Sequence, residues 1–136
     1  MHIGAEVSHY SLYPNNYSKE VVIKRMQKLL DYILFLSDRY GINNIAVFNL
    51  GDSLDGFDNT TARGDHFLPQ NLTNKDQYKV FFSVMMDLFK NLLECGKFKD
   101  IQYIAVGSSN HGGDSEYVAN KALEAGLTYM DKGIKV

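Results

Sequence analysis

Cysteine is nearly missing from this chain. Cys95 stands alone, so no disulfide can close within the sequence, a usage that fits a reducing compartment. It falls inside a helical pattern and reads as a small core residue. A surplus of one charge is missing too. The formal net charge is −2, which removes the footprint of non-specific nucleic-acid binding and leaves room only for a local basic groove. No apolar run approaches the roughly 20 residues that cross a bilayer. The first residues show no basic region leading into a long apolar one. The expectation is a cytoplasmic protein with no membrane partner. Repeats, low-complexity tracts and internal linkers are also lacking. What is present is 136 residues, 45% hydrophobic and 22% charged, the composition of one globular domain over residues 1–136.

Apolar periodicity sets the elements. Residues 1–7 read as the tail of a strand running into a turn-rich loop at 8–17, which includes His9. Ser18 is placed to cap a helix in which Val22, Met26, Leu29, Leu30, Ile33 and Leu36 recur at helical spacing, and Gly41 ends it. A strand follows at about 44–50, and its all-apolar centre predicts burial on both faces. Residues 51–72 form a long loop rich in Gly, Asp, Asn and Thr, a length usually tied to function. Thr73 with Asp76 resembles a capping box. Tyr78, Phe81, Phe82, Met85, Leu88, Phe89 and Leu92 give a second helix its apolar face, and Gly96 stops it. A strand at about 101–106, a third helix at about 116–125 ended by Gly126, and a short strand near 127–130 complete the pattern. Strands alternating with helices predict an α/β fold, a mainly parallel sheet flanked by helices.

Two segments carry the chemistry. Gly51-Asp52-Ser53-Leu54-Asp55-Gly56 leaves one strand, and Gly107-Ser108-Ser109-Asn110-His111-Gly112-Gly113 leaves the next. In α/β sheets ligands and metals collect at such strand ends. Met1-His2-Ile3-Gly4 is a third contributor. Charged oxygen from Asp, neutral oxygen from Asn and nitrogen from His suit manganese, iron or zinc better than calcium. Two such ions about 3.5–4 Å apart can clamp a phosphoryl group and activate water.

These segments resemble the motifs of the calcineurin-like metallophosphoesterases. The family pattern runs Asp-x-His, Gly-Asp-x-x-Asp, Gly-Asn-His-Asp/Glu, a later His, then Gly-His-x-His. Gly51 to Asp55 matches the second motif, Asn110-His111 the core of the third, and Met1-His2 the end of the first. The stretches Thr60 to Gly64 and Leu68 to Asn71 are similar to an insert of phage- and prophage-type members. The resemblance implies two divalent metal ions. It makes Asp52 the bridging ligand, Asn110 a ligand of the second ion and His2 a ligand of the first. His111 becomes the catalytic acid that meets phosphate and protonates the leaving group, and Asp55 the group that orients the site. Arg63 and His66, in the long loop, are candidate phosphate-binding residues. The partner implied is a phosphate-ester substrate. Phosphomonoesters, cyclic nucleotides and nucleic-acid diesters all fit it, and the phage-like insert favours a nucleic-acid diester.

The chain also departs from the pattern. The aspartate of the first motif would precede Met1, and no histidine follows His111. Ser109 replaces the family glycine, and Gly112 replaces the family acid, with Asp114 a partial substitute. These departures make the chain the front half of the family's domain, nearly inactive by itself, or a degenerate relative. Two other functions stay open. Gly51-Asp52-Ser53-Leu54 spells the nucleophile motif of GDSL-type serine esterases, with Ser53 as nucleophile. No Asp-x-x-His follows to activate it. A binding or assembly module without metal or catalysis is the third.

Overall fold

A computed structural model describes residues 1–7, 16–130 and 134–136. Its elements are α1 (Lys19–Tyr40), β1 (Asn44–Asn49), α2 (Asn74–Glu94), β2 (Asp100–Ala105), α3 (Asp114–Met130) and β3 (Ile134–Lys135). The fold is α/β, with a parallel sheet ordered β1-β2-β3. β1 and β2 pair from Asn44↔Asp100 to Asn49↔Ala105. β3 adds to β2 through Ile101↔Ile134 and Gln102↔Lys135. Parallel neighbours need a crossover, which α2 and α3 supply. Both long connections therefore begin at the same end of the sheet, and there the two motif segments meet.

The caps follow the local sequence. Thr73 Oγ1 accepts the Asp76 N–H at 3.3 Å, and its hydroxyl donates to the Asp76 carboxylate at 2.6 Å. Asp is too short to reach back to the Thr73 backbone as Glu does, so it closes the box through the hydroxyl. Ser18 precedes α1 in extended conformation, but its hydroxyl donates to Glu20 and does not cap the backbone. The core joins Phe81, Met85, Leu88, Phe89 and Leu92 of α2 to Ile101 and Tyr103 of β2 and Leu123 and Leu127 of α3. Phe89 meets Tyr103 edge-on at 5.5 Å between ring centroids.

Three expectations are corrected. Among the described residues the sheet is covered on one face only. α2 and α3 pack against Tyr103 and Asn49, while Phe48 (60 % exposed) and Ile104 (45 %) point the other way. An apolar run carries no record of how many layers cover it, and this gave the two-face reading. α3 runs past Gly126 to Met130, so residues 127–130 are helix and not strand. Gly126 serves close approach: a Cβ there would stand 3.0 Å from Phe82 Cζ and 3.1 Å from Met86 Sδ. Tight helix–helix contact and helix termination both ask for glycine, and sequence alone does not separate them. Residues 1–7 hold isolated bridges, Ile3↔Leu54 and Ala5↔Gln70, in place of a strand. His9 and most of the 8–17 loop lie outside the described residues. Among the described residues no helix is long and apolar enough to cross a membrane.

Candidate metal centre

The amino-terminal residues run beside the turn that leaves β1. Ile3 N–H donates to Ser53 O at 2.8 Å, and Asp55 N–H donates to Ile3 O at 3.1 Å. Ile3 is completely buried, so one apolar anchor fixes the segment that carries His2. His2 N–H donates to Asp52 O at 2.7 Å. Both residues adopt left-handed backbone, His2 at φ 51° and Asp52 at φ 49°. Non-glycine residues held there cost on the order of 1–3 kcal/mol and concentrate at functional sites.

Three side chains converge beyond this turn. Asp55 Oδ1 lies 3.3 Å from His2 Nδ1 and 3.6 Å from His111 Nδ1. The two imidazoles meet edge-on at 4.5 Å, and the three donor atoms all fall within 4.8 Å of one another. Donors bound tetrahedrally at about 2.1 Å stand roughly 3.4 Å apart, so this spacing fits a shared ion. Two imidazole nitrogens and one carboxylate oxygen are a donor set for zinc, iron or manganese. Asp55 is 4 % exposed and is held from behind. Its N–H also donates to Gln77 Oε1 at 3.0 Å, and its carbonyl accepts from Gln70 Nε2 at 3.2 Å.

Asp52 stands apart from this trio. Its Oδ1 accepts the main-chain N–H of His111 at 3.0 Å, and the nearby Ser109 side chain also favours its charged form. Burial disfavours its charge, but the His111 N–H and the Ser109 contact outweigh burial and hold the carboxyl below its ordinary range. Ser109 also accepts the Gly112 N–H at 3.0 Å. Ser109 is thus a working part of the loop. Asn110 is exposed, and its carbonyl accepts from Arg63 N–H at 3.3 Å.

The long loop reaches the same rim. Ala62 N–H donates to His111 O at 3.0 Å, next to the Arg63–Asn110 bond. These two contacts bring Arg63 to the edge of the cluster across a large gap in sequence. His66 bonds back to Thr61 through its own N–H at 3.0 Å, and both Arg63 and His66 are exposed. Ser53 takes a different place. It is 1 % exposed and donates its hydroxyl to Asn49 Oδ1 at 2.9 Å. Asn49 in turn donates to Tyr103 at 3.0 Å and Asn120 at 3.2 Å. This buried network fixes the Gly51–Ser53 turn to β2 and α3. A crevice of about 380 Å³ beside the end of β2 is lined by Ile104, Val106, Tyr117, Asn120 and Lys121, among others, and by none of the clustered residues.

Gln77, Asn49 and Glu116 escaped the sequence reading. Their signal is phase: Gln77 shares the buried stripe of Phe81, Val84 and Leu88, and Glu116 that of Ala119, Leu123 and Leu127. A polar residue at a core position of an amphipathic helix must find a buried partner. No protein-family model, curated protein or solved structure matches this chain.

Proposed function

We propose that this protein is a divalent-metal-dependent phosphoesterase. The convergence of His2, from the amino-terminal segment, with Asp55 and His111, from the loops that leave β1 and β2, carries the reading, and the motif resemblance supports it. These three residues would hold one ion. Asp52 and Asn110, on the same two loops, are the oxygen ligands available to a second. A bound divalent ion would supply Lewis-acid polarisation of a phosphoryl oxygen and a more acidic water. The chain's own residues do the rest. The Asp52 bond to the His111 N–H keeps the imidazole at the rim. Gln77 and Ile3 keep the Asp55 carboxylate between the two histidines. Arg63, tied by its backbone to Asn110, offers a guanidinium to a phosphate.

A second role for His111 rests on the same 3.6 Å contact. With Nδ1 facing Asp55, 3.4 Å from its carbonyl and 3.6 Å from its carboxylate, Nε2 is left to give a proton to the leaving oxygen. His111→Gln separates the two roles. Lost metal binding makes it a ligand. Retained metal with a rate lowered about 10²–10⁴-fold makes it the acid.

The serine-esterase alternative is disfavoured by Ser53 itself, buried and committed to Asn49. The test is titration with Zn²⁺ and Mn²⁺, paired with hydrolysis of bis(p-nitrophenyl) phosphate. Binding that Asp55→Asn removes, and turnover that ends with chelator, support the reading. Failure to bind either ion, or turnover that survives chelator and ends on fluorophosphonate labelling of Ser53, overturns it. Metal binding without hydrolysis assigns the centre to a binding module.

A further inference from the structure

Glu116 is a buried ionisable group that the chemistry above leaves unused. It sits in the first turn of α3 and is fully buried. Its side chain crosses to the other motif segment, where Oε1 accepts the Leu54 N–H at 2.9 Å. Its main-chain N–H donates to Gly113 O at 3.2 Å. Its methylenes lie where a side chain on Gly112 would be: a Cβ there would stand 2.6 Å from Glu116 Cγ. One residue therefore grips both loops. Leu54 directly precedes Asp55, and Gly112 directly follows His111. The second oxygen, Oε2, has no hydrogen-bond partner among the described residues.

A buried acceptor without a partner destabilises the fold, and an apolar side chain would fill the same space without that cost. Core filling is thus a poor account of a carboxylate at this position. The bond to Leu54 supplies a better one, since only a side chain with an acceptor at this reach can hold the Asp55 turn at a fixed distance from the His111 loop. We propose that Glu116 is a positioning residue that sets the separation of Asp55 from His111 by clamping the two loops together. The clamp works through an acceptor oxygen and side-chain length, not through charge. Burial pushes the Glu116 carboxyl above its ordinary range, against the Leu54 and Ser53 N–H groups and the Met1 ammonium. This inference rests on the metal-centre reading.

The experiment compares Glu116→Gln with Glu116→Asp, with Co²⁺ as the probe. Glutamine keeps the acceptor and the length, whereas aspartate keeps the carboxylate and loses one methylene. Glu116→Gln should bind Co²⁺ within about threefold of wild type and give the same visible spectrum. Glu116→Asp should lose about 10–100-fold in affinity, the range seen when a partner behind a metal ligand is removed, while its far-UV circular dichroism is unchanged. Equal affinity in Glu116→Asp and wild type, or Glu116→Gln as weak as Glu116→Asp, overturns the clamp. Should Glu116→Asp not fold, Gly112→Ala pushes on the same side chain and must lower affinity instead. Failure of the wild type to bind Co²⁺ strikes the metal reading. The clamp is then read from the ring resonances of His111 and His2, which Glu116→Asp must shift and Glu116→Gln must not.

Discussion

Asp52 holds His111 by its backbone while Asp55 faces the same residue's ring. The His111 N–H reaches Asp52 Oδ1 at 3.0 Å, and His111 Nδ1 lies 3.6 Å from Asp55 Oδ1. The two aspartates of one turn thus address different parts of one histidine. The division has a direct consequence. Asp55→Asn removes a donor charge from the cluster, while Asp52→Asn leaves an amide oxygen able to accept the same N–H. Asp55→Asn should weaken Zn²⁺ binding more than Asp52→Asn does. Asp52→Ala, which frees the loop, should cost about 10–100-fold. Isothermal titration of the three variants checks the order. A loss in Asp52→Asn as deep as in Asp55→Asn would return Asp52 to the bridging role implied by the motif.

Ser53→Ala should leave metal affinity and any metal-dependent turnover unchanged. The hydroxyl donates to Asn49, whose oxygen still accepts Gly51 N–H at 3.1 Å after the change. The expected loss of stability is about 1 kcal/mol, the net worth of one buried hydrogen bond. Urea unfolding and a hydrolysis assay measure the two effects separately. Abolished turnover with metal binding intact would mark Ser53 as a nucleophile.

Gly56→Ala should disturb the centre from behind. Gly56 has φ +124°, and a Cβ there would stand 2.2 Å from Thr60 O. The backbone must move, and Asp55 is its neighbour. A loss of about 1–3 kcal/mol is expected from the strained conformation alone, together with weaker Zn²⁺ binding. Thermal unfolding with and without Zn²⁺ reads both.

Alkaline pH should destabilise the protein through Tyr103. Burial pushes its hydroxyl up to about 12, against the hydrogen bond from Asn49 and with a further push from Glu116. A tyrosine raised in the folded state contributes stability that is full below the unfolded value of about 10 and is lost as pH rises toward 12. The loss is on the order of 2–3 kcal/mol. Tyr103→Phe should flatten the stability profile over this window, and urea midpoints between pH 9 and 12 test it.

The sequence determined the alternation of elements, because helical and strand periods are local properties of side-chain order. The stripe from Phe81 to Leu92, the Thr73–Asp76 cap and the apolar runs into Asp52 and Asn110 gave the α/β class directly. The motif resemblance nominated His2, Asp52 and Asn110 as ligands, His111 as the acid and Asp55 only as the group that orients the site. Tertiary structure decided which of these residues stand together. Asp55 and not Asp52 lies between the histidines, because two αL residues, His2 and Asp52, turn the chain before Asp55 reaches the rim. The long-range contacts of Ala62, Arg63, Gln77 and Glu116 were equally out of reach. Each joins segments whose meeting depends on the parallel pairing of β1 with β2, and no local pattern encodes a partner that far away. The bare sheet face and the passage of α3 through Gly126 have the same origin: layer coverage and interhelical distance are set by the assembled fold, not by the run of residues.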